Sequence, residues 1–268
     1  MTYSVNCSIL LTDLPLLERP AAARAAGFDA VEFWWPFGNA VPGEKEVDAF
    51  VAAIRDAGVQ LTGLNFYAGD MPGGDRGLVS WPDRSQEFRD NLDVVAAIGE
   101  RTGCRAFNAL YGNRQDGVDP EAQDALGVEN LARAGEAVAR IGGTVLLEPV
   151  SGTPAYPLKT AEDALDVIAK VAEAGVDNVR LLADFYHLAT NGQDVDAVIE
   201  AHATAFGHIQ IADAPGRNEP GTGSLPLQRW IARSRELGYA GPVGLEYKAS
   251  QQDPFSWVAT GSTAGIGA

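Results

Sequence analysis

Basic residues are scarce: 20 Lys and Arg stand against 36 Asp and Glu, a formal charge of −16 over 268 residues. A chain of this balance lacks the basic footprint that nucleic-acid phosphates require, and anionic lipid surfaces repel it. Neither nucleic acid nor membrane is expected as a partner. Cysteine is scarcer still. Cys7 and Cys104 lie far apart in strand-like stretches with no histidine at ligand spacing, which excludes a disulfide framework and a thiolate metal site. The expected compartment is the reducing cytoplasm. The opening MTYSVNCSILL has no basic lead into an apolar segment, so no secretory signal is expected. No apolar run approaches the ~18 residues of a membrane span. Nucleotide motifs are missing too. GTGSLP at 221–226 lacks the third glycine and the strand–helix setting of a dinucleotide loop, and there is no Walker loop or nucleophile elbow.

What the chain does have is one recurring unit: an Ala-rich amphipathic stretch, a glycine near its end, then a short apolar run. It appears as ARAAGFDAVEFWW (23–35), IRDAGVQLTGLNFY (54–67), GERTGCRAFNALYG (99–112), ARIGGTVLLEPV (139–150), AEAGVDNVRLLADFYH (172–187) and ELGYAGPVGLEY (236–247). Glycine supplies the left-handed helix cap, and β-branched and aromatic residues follow because the chain becomes a strand. YSVNCSIL (3–10) and AFGHIQIAD (205–213) bring the strands to eight. The spacing predicts helices at 13–26, 44–57, 84–102, 119–141, 160–174, 193–204 and 226–237, with a short piece near 253–260. Alternating strands and helices allow a closed barrel or an open doubly wound sheet. Eight strands without a phosphate loop favour a single-domain α/β fold, a (β/α)8 TIM barrel over residues 1–260, with a short tail at 261–268.

Each of the last four strands ends in one oxygen-bearing side chain in apolar company. These are Glu148 in LLEP, Asp184 in LLADFYH, Gln210 in HIQIAD and Glu246 in GLEYK. Alone, any of them reads as a loop cap. Together on consecutive barrel strands they place three carboxylates and an amide above one core. Unneutralised carboxylates so close repel, and an all-oxygen set suits a hard divalent cation such as Mg²⁺ or Mn²⁺. His187, three residues past Asp184, is placed either to bond a substrate hydroxyl or to ligate the metal. His208 reads as interior filling and His202 as surface. Arg217, Lys248, Arg76 and Arg114 fall in or near loops after strands, where a cation receives an anionic substrate or pairs with a surface acid. Asn65 and Asn108 end the third and fourth strands, suited to a ligand or to loop capping. Among Phe33, Trp34, Trp35, Phe66, Tyr67 and Tyr111, core packing is the safer reading for most.

LNFYAGDMPGGDRG (64–77), EFRD (87–90), LLEPVSG, DFYH (184–187), HIQIAD with PGRNEPGTG (208–223) and GLEYK (244–248) together resemble the hydroxypyruvate isomerases, members of the xylose-isomerase-like barrel superfamily. The likeness runs from about residue 3 to residue 257. Ser224 departs from it, following GTG where the family usually carries Glu. The resemblance implies metal ligands at Glu148, Asp184, Gln210 and Glu246, proton-handling glutamates at Glu148 and Glu246, and a substrate-side His187 and Arg217. It also implies metal-dependent interconversion of hydroxypyruvate and tartronate semialdehyde through an enediolate, with the cation as Lewis acid. The expected partner is a small anionic hydroxy-keto acid, its carboxylate met by Arg217 and Lys248, in a monomer or homo-oligomer. The loops at 68–83 and 214–225 are expected to close over it. A 2-oxo-tetronate isomerase or a ketose 3-epimerase would use the same site. An apurinic endonuclease needs a His-rich metal site and a basic face, which three histidines and a charge of −16 do not supply.

Overall fold

The computed structural model describes residues 2–258. Eight parallel strands close a barrel in sequence order. They are β1 Tyr3–Asn6, β2 Ala30–Phe33, β3 Gln60–Asn65, β4 Ala106–Asn108, β5 Thr144–Leu147, β6 Val179–Asp184, β7 Phe206–Ile211 and β8 Val243–Leu245. Their residues are almost all buried, because a barrel strand packs side chains against the helices on one face and into the interior on the other. The surrounding helices are α1 Arg19–Ala25, α2 Glu44–Ala57, α3 Ser85–Thr102, α4 Pro120–Ala139, α5 Ala161–Glu173, α6 Phe185–Thr190, α7 Val195–His202 and α8 Leu227–Glu236. The barrel expected from the repeating unit is therefore present. The tail expected at 261–268 lies outside the described residues, as does the end of the short helix expected near 253–260. No helix among the described residues is long and apolar enough to cross a membrane.

Helix starts follow local chemistry. Thr160 Oγ accepts from the Asp163 N–H at 3.0 Å while the Asp163 carboxylate accepts from the Thr160 N–H at 2.8 Å, a reciprocal cap that opens α5. Asp119 caps α4 just before Pro120, whose missing N–H costs nothing in a first turn. Two expectations change. The helix expected at 13–26 is only α1, preceded by a tight turn at Leu16–Glu18, because Pro20 fits a first turn and not a helix interior. The unexpected α6 begins directly at the end of β6, with Asp184 as its cap.

The loop from β3 to α3 is built against the next strand. The Gly77 N–H donates to the Ala68 carbonyl at 3.0 Å, and the Ser80 N–H to the Tyr111 carbonyl at 2.8 Å. Gly77 has φ +107°, and a Cβ there would drive into the Leu110 carbonyl. Gly77→Ala is expected to cost about 2 kcal/mol or more, read as a fall of roughly 4–8 °C in melting temperature. An unchanged melting temperature would show that this contact yields freely.

Candidate active site

The barrel gathers the four residues expected at its last strand ends. Glu148 follows β5 by one residue, Asp184 ends β6, Gln210 lies near the end of β7 and Glu246 follows β8 by one. All four are 1–5% exposed. Burying three carboxylates together is unfavourable, so each is partly satisfied from the scaffold. Asn108 Nδ2 donates to Glu148 Oε2 at 2.8 Å. Asp184 Oδ1 accepts the Tyr186 and His187 N–H groups at 2.8 and 3.1 Å, which makes one oxygen of this side chain the cap of α6. Glu246 Oε2 accepts from Asn6 Nδ2 at 3.0 Å and from Gln210 Nε2 at 2.5 Å.

Glu148 and Glu246 line a cavity, and Asp184 Oδ2 is buried beside them. Arg217 Nη2 reaches Glu246 Oε1 at 2.5 Å and stands 3.8 Å from Asp184 Oδ2. His187 Nε2 stands 3.8 Å from Glu148 Oε1 and 3.7 Å from Asp184 Oδ2, beyond hydrogen-bond range. At these strand ends, among the described residues, three buried acceptors have no hydrogen-bond partner: Asp184 Oδ2, Gln210 Oε1 and Asn108 Oδ1. Ligand atoms of Glu148, Asp184 and His187 all lie within 4.8 Å of one another. Unpartnered buried oxygens beside crowded carboxylates fit a divalent cation, and the oxygen donors Glu148, Asp184, Gln210 and Glu246 could hold a hard one.

Electrostatics follows the geometry. Burial, reinforced by the charges of Glu246 and Asp184, pushes the Glu148 carboxyl well above its ordinary range. Burial likewise raises Glu246 to about 8; Arg217 opposes the rise, and Asp184 and Glu32 add to it. Burial pushes His187 down to about 4, so its ring is neutral near pH 7. The Ser151 N–H donates to His187 Nδ1 at 3.1 Å, and Ser151 Oγ lies 2.7 Å from the same atom. An accepting Nδ1 assigns the ring proton to Nε2, the nitrogen that faces the carboxylates and the cavity.

The cavity encloses about 810 Å³, with Glu148, His187, Arg217 and Glu246 at its floor. Asn65 lines it, whereas Asn108 lies beneath it as the partner of Glu148. Trp34, Trp35 and Tyr67 form part of its wall, while Phe33, Phe66 and Tyr111 pack in the core, so core packing accounts for half of these aromatics rather than most. Lys248 is not brought to the site. Its side chain is exposed and off the cavity wall, and its backbone N–H donates to the Arg217 carbonyl at 2.7 Å. Two other guanidiniums line the cavity. Arg19 spends its donors on the carbonyls of Leu14, Cys7 and Thr12. Arg76 donates from Nη1 to the Met71 and Asp75 carbonyls, at 3.0 and 2.6 Å, and forms no ion pair among the described residues. Ser224 is exposed and off the wall, so its departure from the family pattern leaves the floor intact.

Neither loop expected to close is slack. Asp75 Oδ2 accepts from the Asp70 N–H and pairs with Arg84, both at 2.7 Å. Asp213 accepts from the N–H groups of Ala214, Gly221 and Leu225, at 2.8–3.0 Å, drawing the second loop into a knot. The sequence reading passed over Glu32 and Asn6, both buried in the barrel below the four strand-end residues. For Glu32 alone the sequence carries a hint: in AVEFWW it repeats the pattern of a lone carboxylate in an apolar run that marks Glu148.

Comparison with known proteins places this geometry among relatives. Residues 20–262 match the family model of the xylose isomerase-like TIM barrel. A Streptomyces coelicolor protein named putative hydroxypyruvate isomerase is 54% identical over 98% of this chain and 97% of its own length. A 2-oxo-tetronate isomerase of Cupriavidus necator is 32% identical, over 99% of this chain and 96% of its own. Among solved structures, one described as AP endonuclease, family 2, from Brucella melitensis superposes with a TM-score of 0.86 at 30% identity. It covers 96% of this chain and 98% of its own.

The shifted groups give a pH signature. Between pH 4.5 and about 8 the folded chain holds the Glu246 proton that the unfolded chain has released, so stability declines as pH rises. His187 acts in the opposite sense between about 4 and 6.5, where only the unfolded chain is protonated. Above pH 6.5 the carboxylate effect stands alone. The metal-free protein is therefore expected to melt at progressively lower temperature from pH 6.5 towards 8, with excess Mn²⁺ flattening the decline. Thermal melts in chelator and in Mn²⁺ check this, and a flat metal-free profile would contradict it.

Proposed function

The chain belongs to the xylose isomerase-like TIM-barrel family, and from that premise we propose that it is an isomerase of short hydroxy-keto acids, interconverting hydroxypyruvate and tartronate semialdehyde. The observation that carries the proposal is the pair of buried glutamates, Glu148 and Glu246, at the floor of one cavity. Each fixes one oxygen on an amide below and turns the other towards the substrate space. Both are raised towards the pH at which a carboxylate can take a proton and return it. The 54% identical relative named putative hydroxypyruvate isomerase supports the same choice of substrate.

One glutamate removes a proton from C3 of hydroxypyruvate, and the electron pair left behind forms the enediolate. A proton returned to C2 by a glutamate, with transfer of the O3 hydroxyl proton to O2, completes the aldehyde. His187 offers its Nε2–H to the oxygen on which charge develops, because the Ser151 N–H occupies Nδ1 and leaves the ring proton on Nε2. A divalent cation held by Glu148, Asp184, Gln210 and Glu246 would supply Lewis-acid stabilisation of that charge.

Arg76 replaces Lys248 as the partner for the substrate carboxylate. It lines the cavity, lacks an acidic partner among the described residues, and is held by two backbone carbonyls that leave its other nitrogens for a ligand. Arg217 is already engaged by Glu246 and Asp184. The cavity has room for one carbon more, which keeps a 2-oxo-tetronate substrate as the second reading. A neutral ketose would leave Arg76 unused. An endonuclease is disfavoured by the net charge of −16 and by the histidines, since His202 is paired with Glu162 away from the site and His208 with Glu32 below it.

Purified protein with Mn²⁺ is expected to isomerise hydroxypyruvate, and no turnover of any hydroxy-keto acid would remove the reading. Glu148→Gln and Glu246→Gln should each lower kcat by roughly 10²–10⁴-fold. Arg76→Gln should raise KM for the acid by roughly 10–100-fold, the worth of a charge-assisted hydrogen bond. An unchanged KM would return the carboxylate to Arg217.

A further inference from the structure

Below the floor lies a second polar layer, made by Asn6 of β1, Glu32 of β2 and His208 of β7. Glu32 comes from β2, where the register to β3 shifts between Val31 and Glu32, and it is 2% exposed. Its carboxylate has room only because two neighbours are glycines. A Cβ at Gly244 would stand 2.6 Å from Glu32 Oε1 and 2.7 Å from Gln210 Cγ, and one at Gly63 would stand 3.2 Å from Glu32 Cβ. Three donors converge on it. His208 Nε2 lies 2.8 Å from Oε2, while Gln210 Nε2 and Asn6 Nδ2 reach Oε1 at 2.7 and 3.2 Å. The same two amide nitrogens also reach Glu246 Oε2, at 2.5 and 3.0 Å. Two carboxylates, one in each layer, are thus joined through two NH₂ groups.

This junction has a directional consequence. The two ends of a primary amide have nearly the same shape, and neighbours decide which way it faces. Both N–H bonds of Gln210 are claimed by carboxylates, so Gln210 Oε1 points away from them, buried and without a partner. We propose that Glu32 is a positioning residue: it orients the Gln210 amide so that oxygen, not nitrogen, is presented as a cation ligand. This inference rests on the metal reading of the site. Glu32→Gln leaves one acceptor oxygen for the three donors that now converge there, and it frees the Gln210 amide to turn its nitrogen upward.

The test is titration of the metal-free full chain with Mn²⁺ by calorimetry, with the melting temperature followed in parallel. Glu32→Gln should bind Mn²⁺ about 10–100-fold more weakly than the parent, the usual range for residues behind a ligand. The decisive variant is Glu32→Gln with Gln210→Glu. A carboxylate has two oxygens and needs no orienting, and the Gln introduced at 32 can donate to it, so Mn²⁺ affinity should return to within a few-fold of the parent. Unchanged affinity in Glu32→Gln, or a double variant as weak as the single, would overturn the proposal. If Glu32→Gln does not fold, Gln210→Glu alone is compared with the double variant. The proposal requires the double variant to bind more tightly, because the single one sets two carboxylates against each other. A parent that binds no Mn²⁺ would instead defeat the metal reading itself, and the proposal with it.

Discussion

Three carboxylates at the mouth of a barrel cannot be buried without compensation, and the upper half of this molecule is arranged around that constraint. The scaffold satisfies one oxygen of each: Asn108 serves Glu148, the first turn of α6 serves Asp184, and Asn6 with Gln210 serves Glu246. The remaining oxygens converge on one space, where Arg217 supplies the positive charge of the side chains present. Burial raises Glu148 and Glu246 and lowers His187 for one reason: a water-poor pocket disfavours charge, and at Glu246 the burial penalty outweighs even the Arg217 partner. The raised carboxyls and the lowered imidazole thus have a single physical origin.

The walls share this economy of fixed geometry. Arg217 has φ +59°, a left-handed conformation costly for a residue with a side chain, so its surroundings must impose it. They do so through the Lys248 N–H on the Arg217 carbonyl and through Asp213 gathering the loop that carries it. Glu219 ties the same loop to the segment after β8, accepting from the Ser250 and Gln251 N–H groups at 2.7 and 3.0 Å. Against the penalty of its burial, its own backbone N–H, the Ser250 hydroxyl and these two N–H groups hold its carboxyl below the ordinary range. On the opposite wall, Asp75 and Arg84 tie the loop that carries Arg76. Acidic side chains are spent here on backbone N–H groups, which preorganises the walls before any substrate arrives.

The sequence disclosed the parts of this arrangement that repeat. Glycine followed by a short apolar run marked six of the eight strands, and a carboxylate or amide closing an apolar run marked Glu148, Asp184, Gln210 and Glu246. It disclosed much less where one residue does two jobs. Asp184 ends a strand and caps a helix, so DFYH looked like a strand mouth and α6 went unseen. Lys248 looked close to the site because it is two residues from Glu246, but the chain has left the strand there, and Tyr247 enters the core while Lys248 turns to solvent. Arg76 could not be preferred over the other loop arginines, since only the folded chain reveals which guanidinium is already occupied. Glu32 and Asn6 lie on the first two strands, and nothing local ties them to residues more than 170 positions away.

The two buried histidines make the dependence on the lower layer explicit. His187 accepts from Ser151 on Nδ1, so its proton sits on the nitrogen that faces the cavity. His208 spends its Nε2 on Glu32, one level down, and is withdrawn from the cavity altogether. Identical imidazoles thus become a donor and a strut through the groups on their far sides. Neither leaves a free ring nitrogen turned to the carboxylates, so the donors open to a cation are oxygens: Glu148 Oε1, Asp184 Oδ2, Gln210 Oε1 and, if Arg217 withdraws, Glu246 Oε1. Such a set favours hard divalent ions over those that seek nitrogen or sulfur. The preference arises from residues that would never touch the ion, which is why the layer containing Glu32 bears on the chemistry above it.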